Sequence, residues 1–136
     1  DDGFKRLISE GYNCSNTHFN YIPTYTGPGH ASIYTGATPS THGVISNYWY
    51  DREIEEYSYC VSDADMNTVG ADNESGKMSP VHLISTTIGD ELRMHTQMRS
   101  KVIGISLKAE SMTAIKVMRL KTQVMLLSTL INMQLR

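Results

Sequence analysis

The sequence predicts an α/β fold: a partial parallel sheet flanked by helices. Three observations carry that expectation. A strand-like run, Phe19-Asn20-Tyr21-Ile22, leads through Thr26 and Gly27-Pro28-Gly29 into a helix. The pair Ser79-Pro80 opens an apolar stripe at helical spacing. The run Lys101-Val102-Ile103-Gly104-Ile105-Ser106 then reads as a short buried strand, the second half of a helix-to-strand unit.

Taken in order, residues 2–11 read as a short helix, because Phe4, Leu7 and Ile8 fall at i, i+3 and i+4, with Gly11 as its C-cap. A polar turn follows, then the strand 19–22. Thr26 stands where that strand gives way to a helix starting near Gly29. Glycines at 27 and 29 let the backbone turn sharply and approach a ligand. The first amides and the positive dipole end of such a helix suit an anion, phosphate above all. A plain Gly/Pro surface turn is the other reading of the same residues.

Residues 36–43 read as a loop around Pro39, and Val44–Tyr50 as a strand or extended edge. His30 and His42, in this loop-rich stretch, read as hydrogen-bonding scaffold rather than as ligands. Asn47 is either a turn cap or a neutral amide donor to a phosphoryl oxygen. Tyr48, Trp49 and Tyr50 read as core or rim aromatics, with ring stacking as the alternative. Residues 51–78 are acidic and turn-rich, a solvated face, and Asp63-Ala64-Asp65 is too short a pattern for a metal site. The helix opened by Ser79-Pro80 carries Val81, Ile84, Ile88 and Leu92 on one side and runs to about Met94. Lys108 ends the strand 101–106, where ligands gather in open α/β sheets.

Composition bounds the function. With 136 residues, 40% of them hydrophobic and 19% charged, the chain suits one globular domain. A net charge of -2 gives no electrostatic case for duplex nucleic acid or an anionic membrane. No apolar run approaches the roughly 20 residues of a membrane span. The chain opens Asp1-Asp2-Gly3, without the basic and apolar regions of a signal peptide. Cys14 and Cys60 lack metal-site spacing, and whether they pair or stay free is open.

Residues 23–51, PTYTGPGHASIYTGATPSTHGVISNYWYD, resemble the nucleophile region of the alkaline phosphatase superfamily. The branch is that of type I phosphodiesterases/nucleotide pyrophosphatases and of the threonine-using, phosphate-irrepressible alkaline phosphatases. Thr26, Pro28, His30, Thr35-Gly36, Pro39, His42-Gly43 and Asn47 match its pattern in order. The resemblance covers roughly residues 3–108, and Ser106-Leu107-Lys108 is similar to the phosphatases in particular.

The resemblance implies an alkaline-phosphatase-like core fragment acting on phosphate esters. Thr26 would be the nucleophile, passing through a phosphothreonine, and its side-chain oxygen would be one ligand of a site for two zinc ions. Asn47 and Lys108 would hold the phosphoryl oxygens. The family's further metal ligands, Asp and His residues, fall before residue 1 and after residue 108, so this chain holds only the N-terminal part of the domain and is expected to be inactive alone. A position occupied by Arg in the phosphatases, two residues after Lys108, holds Glu110 here, a reversal of charge. Lys108 favours a phosphomonoesterase. A nucleotide pyrophosphatase/phosphodiesterase fragment and an inactive phosphate-binding remnant are the alternatives. A periplasmic or secreted location is implied by the resemblance only, and nothing in the sequence bears on oligomeric state.

Residues 109–136 differ from the body. They contain no Gly, Pro or aromatic residue, and they carry four basic residues against one acid, whereas residues 1–108 carry eight against thirteen. The expectation is a division into residues 1–108, the catalytic-domain part, and a divergent tail, 109–136, replaced by a frameshift or gene-prediction error; an ordinary amphipathic helix of a divergent protein is the alternative.

Overall fold

A computed structural model describes residues 2–68, 72–104, 106 and 108–111. Its elements are α1 (Asp2–Glu10), α2 (Thr26–Thr35), α3 (Pro39–His42), β1 (Tyr48–Asp51), β2 (Glu56–Tyr59) and α4 (Ile88–His95). The class is α/β. Among the described residues the sheet is one antiparallel pair, β1 with β2. Most of the tail, from residue 112 onward, lies outside the described residues.

The expected first helix is α1. Gly11 closes it by donating its N–H to the Leu7 carbonyl at 3.0 Å, and an Arg6–Glu10 ion pair spans one turn. Its apolar face of Phe4, Leu7 and Ile8 is exposed.

The expected strands at 19–22 and 101–106 do not form ladders among the described residues. A strand is stabilised by hydrogen bonds to a neighbour, and neither run has one there. Residues 19–22 instead turn, with Phe19 and Tyr21 in edge-to-face contact at 5.4 Å and Tyr21 donating its hydroxyl to the Pro28 carbonyl. Residues 101–104 are irregular, and Ile103 is exposed.

Helix α2 begins at Thr26 rather than at Gly29. Pro28 is tolerated there because amides of a first turn have no helical acceptor to lose. The helix stops at Gly36, whose φ of 68° is the left-handed conformation that ends helices. The loop expected at 36–43 contains the single turn α3, opened by Pro39 and closed by Gly43 at φ 87°. A Cβ on Gly43 would also lie 2.8 Å from the His82 carbonyl.

The hairpin pairs Tyr48 with Tyr59, Trp49 with Ser58, Tyr50 with Tyr57 and Asp51 with Glu56. Side chains alternate across a strand. Trp49 and buried Ser58 therefore share one face, and both meet His82: the indole edge-on at 5.0 Å, the hydroxyl by a hydrogen bond of 3.3 Å to Nε2. The four tyrosines share the other face.

The core is small. Ala31, Val44, Cys60, Val61 and Leu83 are fully buried, with Trp49, Tyr59, Met78 and Ala109 packed against them. Loop bonds hold it together: Ser79 N–H to the Val61 carbonyl at 2.8 Å, and Ile84 N–H to the His42 carbonyl at 3.0 Å.

The helix expected from Ser79 starts only at Ile88. Thr87 and Asp90 form a reciprocal capping box: Asp90 N–H donates to Thr87 Oγ1 at 3.3 Å and Thr87 N–H to Asp90 Oδ2 at 2.8 Å. Both residues are buried. Ser79-Pro80 opens a turn instead, with Leu83 N–H on the Pro80 carbonyl. Ser79 spends its hydroxyl on the Asp63 carboxylate, so it does not cap a helix. The stripe Val81, Ile84, Ile88 and Leu92 is exposed.

His42 ties α3 to α2. A backbone N–H can only donate, so the Val44 amide at 3.2 Å makes Nδ1 an acceptor, and Nε2–H donates to Ser32 Oγ at 3.0 Å. The ring is fully buried and neutral, and burial lowers its pKa from 6.5. The unfolded chain therefore binds this proton more readily than the folded one. The stability that the neutral ring contributes is complete above pH 6.5 and is lost as pH falls through the folded-state value. Urea unfolding across that range is expected to show the decline, and His42→Gln to flatten it. A parent chain whose stability does not change below pH 6.5 would contradict this assignment.

Candidate functional site

Thr26 is the first residue of α2 and lies at the centre of the candidate site. A helix start was expected to offer several amides to an anion. In the structure most are already committed. The Gly27 N–H donates to Asn47 Oδ1 at 2.7 Å, Pro28 has no N–H, and Gly29 N–H donates to the Tyr25 carbonyl at 2.9 Å. The dipole end remains, but the amide donors next to Thr26 are largely replaced by one side chain.

That side chain is oriented by its own bond. Because Gly27 can only donate, the Asn47 atom it meets is the oxygen, and the NH2 group becomes the outward donor of the carboxamide. Asn47 is thus joined to the residue next to Thr26 across 20 positions of chain. The structure brings these two expected site residues together.

The close packing needs a glycine at 27. A Cβ there would stand 3.0 Å from Cys60 Sγ, 3.1 Å from Asn47 Oδ1 and 3.4 Å from the Ser46 carbonyl. Cys60 in turn donates its N–H to the Asn47 carbonyl at 2.9 Å. Burial, with the Glu110 carboxylate adding to it, pushes the Cys60 thiol up to about 12. Both cysteines are free, Cys14 exposed and Cys60 buried.

His30 and His42 are scaffold. His30 Nδ1–H donates to the Thr26 carbonyl at 2.9 Å, and the Ser111 hydroxyl donates to Nε2 at 3.2 Å. This second bond docks the turn 108–111 beside α2. Two further contacts hold that turn: Ala109 packs on the core, and the Tyr59 hydroxyl bonds the Glu110 carboxylate. Desolvation and this carboxylate raise the Tyr59 pKa. Lys108 therefore sits on a turn anchored to α2 through Ser111, with its own side chain exposed to solvent. Gly27 was legible as a turn glycine but not as the seat of Asn47 and Cys60, and nothing in the sequence singled out Cys60, Tyr59 or Ser111 for these contacts, since each acts through a partner distant in the chain.

Among the described residues no group of three or more His, Cys, Asp or Glu side chains could hold a metal ion. Asp63 and Asp65 form a local turn, with the Asp65 N–H donating to Asp63 Oδ1 at 3.0 Å. Thr26 Oγ1 is the one expected ligand atom present. The residues described do not make up a zinc site.

The family model for type I phosphodiesterase / nucleotide pyrophosphatase matches residues 2–122. Alkaline phosphatase PhoV of Synechococcus elongatus is 51% identical over 106 residues, 78% of this chain and 19% of that protein. Alkaline phosphatase PafA of Elizabethkingia meningoseptica is 47% identical over 109 residues, 79% of this chain and 20% of that protein. The crystal structure of wild-type PafA superposes with a TM-score of 0.78 at 45% identity, covering 82% of this chain and 22% of that one. The chain thus spans about a fifth of the length of the curated relatives it matches.

Two outcomes test this geometry. Gly27→Ala should cost about 1–3 kcal/mol in chemical denaturation, the ordinary cost of overpacking, and Gly27→Ala with Cys60→Ala should regain part of it. An unaltered Gly27→Ala midpoint would refute the packing. A thiol reagent at mildly alkaline pH should label Cys14 at once and Cys60 only at the rate of unfolding. Equal labelling rates would place Cys60 at the surface.

Proposed function

Since the chain belongs to the type I phosphodiesterase / nucleotide pyrophosphatase family, we propose that it carries the nucleophile and part of the phosphoryl pocket of a phosphomonoesterase of the alkaline phosphatase type. The observation that carries this reading is the Gly27–Asn47 bond, which joins the carboxamide of Asn47 to the residue next to Thr26. A solved PafA variant supports it. That variant changes a threonine and an asparagine separated by the same interval as Thr26 and Asn47, together with a lysine and an arginine two positions apart, as Lys108 and Glu110 are.

In this reading Thr26 Oγ1 attacks phosphorus, the bond to the leaving oxygen breaks, and phosphothreonine forms. Hydrolysis of that ester by water releases phosphate and restores the hydroxyl. The Asn47 NH2 group donates to a non-bridging oxygen, and Lys108 swings from solvent to offset its charge. Activation of the hydroxyl needs a partner. His30 is occupied by the Thr26 carbonyl and by Ser111, and among the described residues no base bonds Oγ1. Export to the periplasm belongs to this proposal on the family resemblance. Among the described residues no helix is long and apolar enough to cross a membrane.

Glu110 favours a second reading. A carboxylate at the position of an arginine opposes a dianionic monoester more than a singly charged diester, so phosphodiesterase preference is the alternative.

The test is a chimera in which residues 3–108 replace the matching segment of PafA. It should hydrolyse a phosphomonoester, and Thr26→Ala should abolish this by several orders of magnitude. Thr26→Ser should retain part of the rate, and Asn47→Ala should lower kcat by roughly 10²–10³-fold. The isolated 136-residue chain should show no turnover. A Thr26→Ala chimera as active as its parent would overturn the reading, and a higher rate on diesters would select the alternative.

A further inference from the structure

The carboxylate two positions after Lys108 is already engaged. Glu110 accepts from the Tyr59 hydroxyl, and its charge bears on the neighbouring Cys60 thiol. Glu110 is half-buried, whereas Lys108 is exposed. The Tyr59 ring is itself fixed, stacked on Tyr48 with centroids 4.6 Å apart and packed against the core. Within the turn, Ser111 N–H donates to the Lys108 carbonyl at 3.2 Å, and the Ser106 hydroxyl donates to the same carbonyl at 2.8 Å. Lys108 N–H returns a bond to Ser106 Oγ at 3.2 Å.

Followed from residue to residue, these bonds make a closed circuit. The Thr26 carbonyl accepts from His30 Nδ1–H at 2.9 Å, and the Ser111 hydroxyl donates to His30 Nε2 at 3.2 Å. Ser111 adjoins Glu110, Glu110 is bonded to Tyr59, and Tyr59 adjoins Cys60. Cys60 N–H donates to the Asn47 carbonyl at 2.9 Å. Asn47 Oδ1 accepts from Gly27 N–H at 2.7 Å, and Gly27 adjoins Thr26. Residues 26 and 47 thus lie on the circuit, and Lys108 is bonded to it through the Ser111 N–H. The Glu110–Tyr59 bond is the link that joins the turn to the hairpin.

We propose that Glu110 is a positioning residue: by accepting from Tyr59 it closes the circuit and fixes the Lys108-bearing turn relative to Asn47, without meeting the phosphate itself. Its role rests on the phosphoryl pocket proposed above. A hydrogen bond to a carboxylate is stronger than one between neutral groups, so it suits an anchor. Ordering a loop on binding costs affinity, and a loop fixed beforehand spares that cost. With the turn held by Glu110, only the Lys108 side chain remains to be ordered when an anion arrives. Glu110 therefore acts on anion affinity through Lys108 and through no contact of its own.

The experiment is an NMR titration of the 136-residue chain and its variants with inorganic phosphate. Lys108→Ala should weaken binding about tenfold, the loss of one charge-assisted hydrogen bond. Tyr59→Phe and Glu110→Ala should each weaken it about threefold to tenfold, the range for ordering a loop on binding. Neither should add a further loss once residue 108 is alanine, the signature of coupled residues in a double-mutant cycle. Glu110→Gln keeps an oxygen that accepts from the phenol and should recover most of the parent affinity. Equal losses from Glu110→Ala with and without Lys108 would reduce the residue to a general role in folding, overturning the positioning role while leaving the pocket standing. Tighter binding by Glu110→Ala would place the carboxylate against the phosphate. It would overturn the positioning role too, and favour the diester alternative. Lys108→Ala without effect would overturn the role by removing Lys108 from the pocket. No binding of phosphate by the parent chain would overturn pocket and positioning residue together.

Discussion

One hydrogen bond organises the region around Thr26: the donation from Gly27 N–H to Asn47 Oδ1 at 2.7 Å. It fixes which end of the Asn47 amide faces outward, and it draws the start of β1 onto the start of α2. It also occupies one amide of the helix terminus, so a side-chain oxygen satisfies a first-turn N–H of α2. The space for it exists because residue 27 has no Cβ. Cys60 fills the other side of that space as a small, protonated, buried thiol. A glycine, an asparagine and a cysteine from three segments act here as one packing unit.

The surroundings of this unit are polar and satisfied. Buried His42 links α2 to α3 as a neutral ring with both nitrogens engaged. His30 links the Thr26 carbonyl to Ser111. Neither imidazole has a nitrogen left to serve Thr26 Oγ1 as a base. The second turn of the site, 108–111, is held by an apolar contact, a phenol–carboxylate bond and a hydroxyl–imidazole bond. Its lysine is left at the surface while its neighbours anchor it.

Local signals were legible where one segment decides its own structure. The spacing of Phe4, Leu7 and Ile8 specified α1, with Gly11 closing it; the turn α3 inside the expected loop 36–43 was not legible. The start of α4 was misread because Ser79-Pro80 is a good helix opening in isolation. Thr87 and Asp90 bury a reciprocal cap, and Asp63 claims the Ser79 hydroxyl. The expected strands were β-like in composition, but a ladder needs a neighbour and none stands beside them among the described residues. Thr26 and Asn47 were legible through the family pattern. Their physical connection was not, because residues 27, 47 and 60 meet only in the folded chain.

The two halves of the site differ in the length of chain each must close. The Gly27–Asn47 bond joins residues 20 apart, whereas the His30–Ser111 bond joins residues 81 apart. Loop-closure entropy grows with the logarithm of that separation, so the longer closure is costlier by roughly 1 kcal/mol before any contact repays it. The asparagine clasp is therefore a near-neighbour feature of the fold. The lysine-bearing turn is a long-range one, dependent on a few contacts at its tip. The contacts that join residue 27 to residue 47 and those that seat residues 108–111 are therefore closures of different range within one small core.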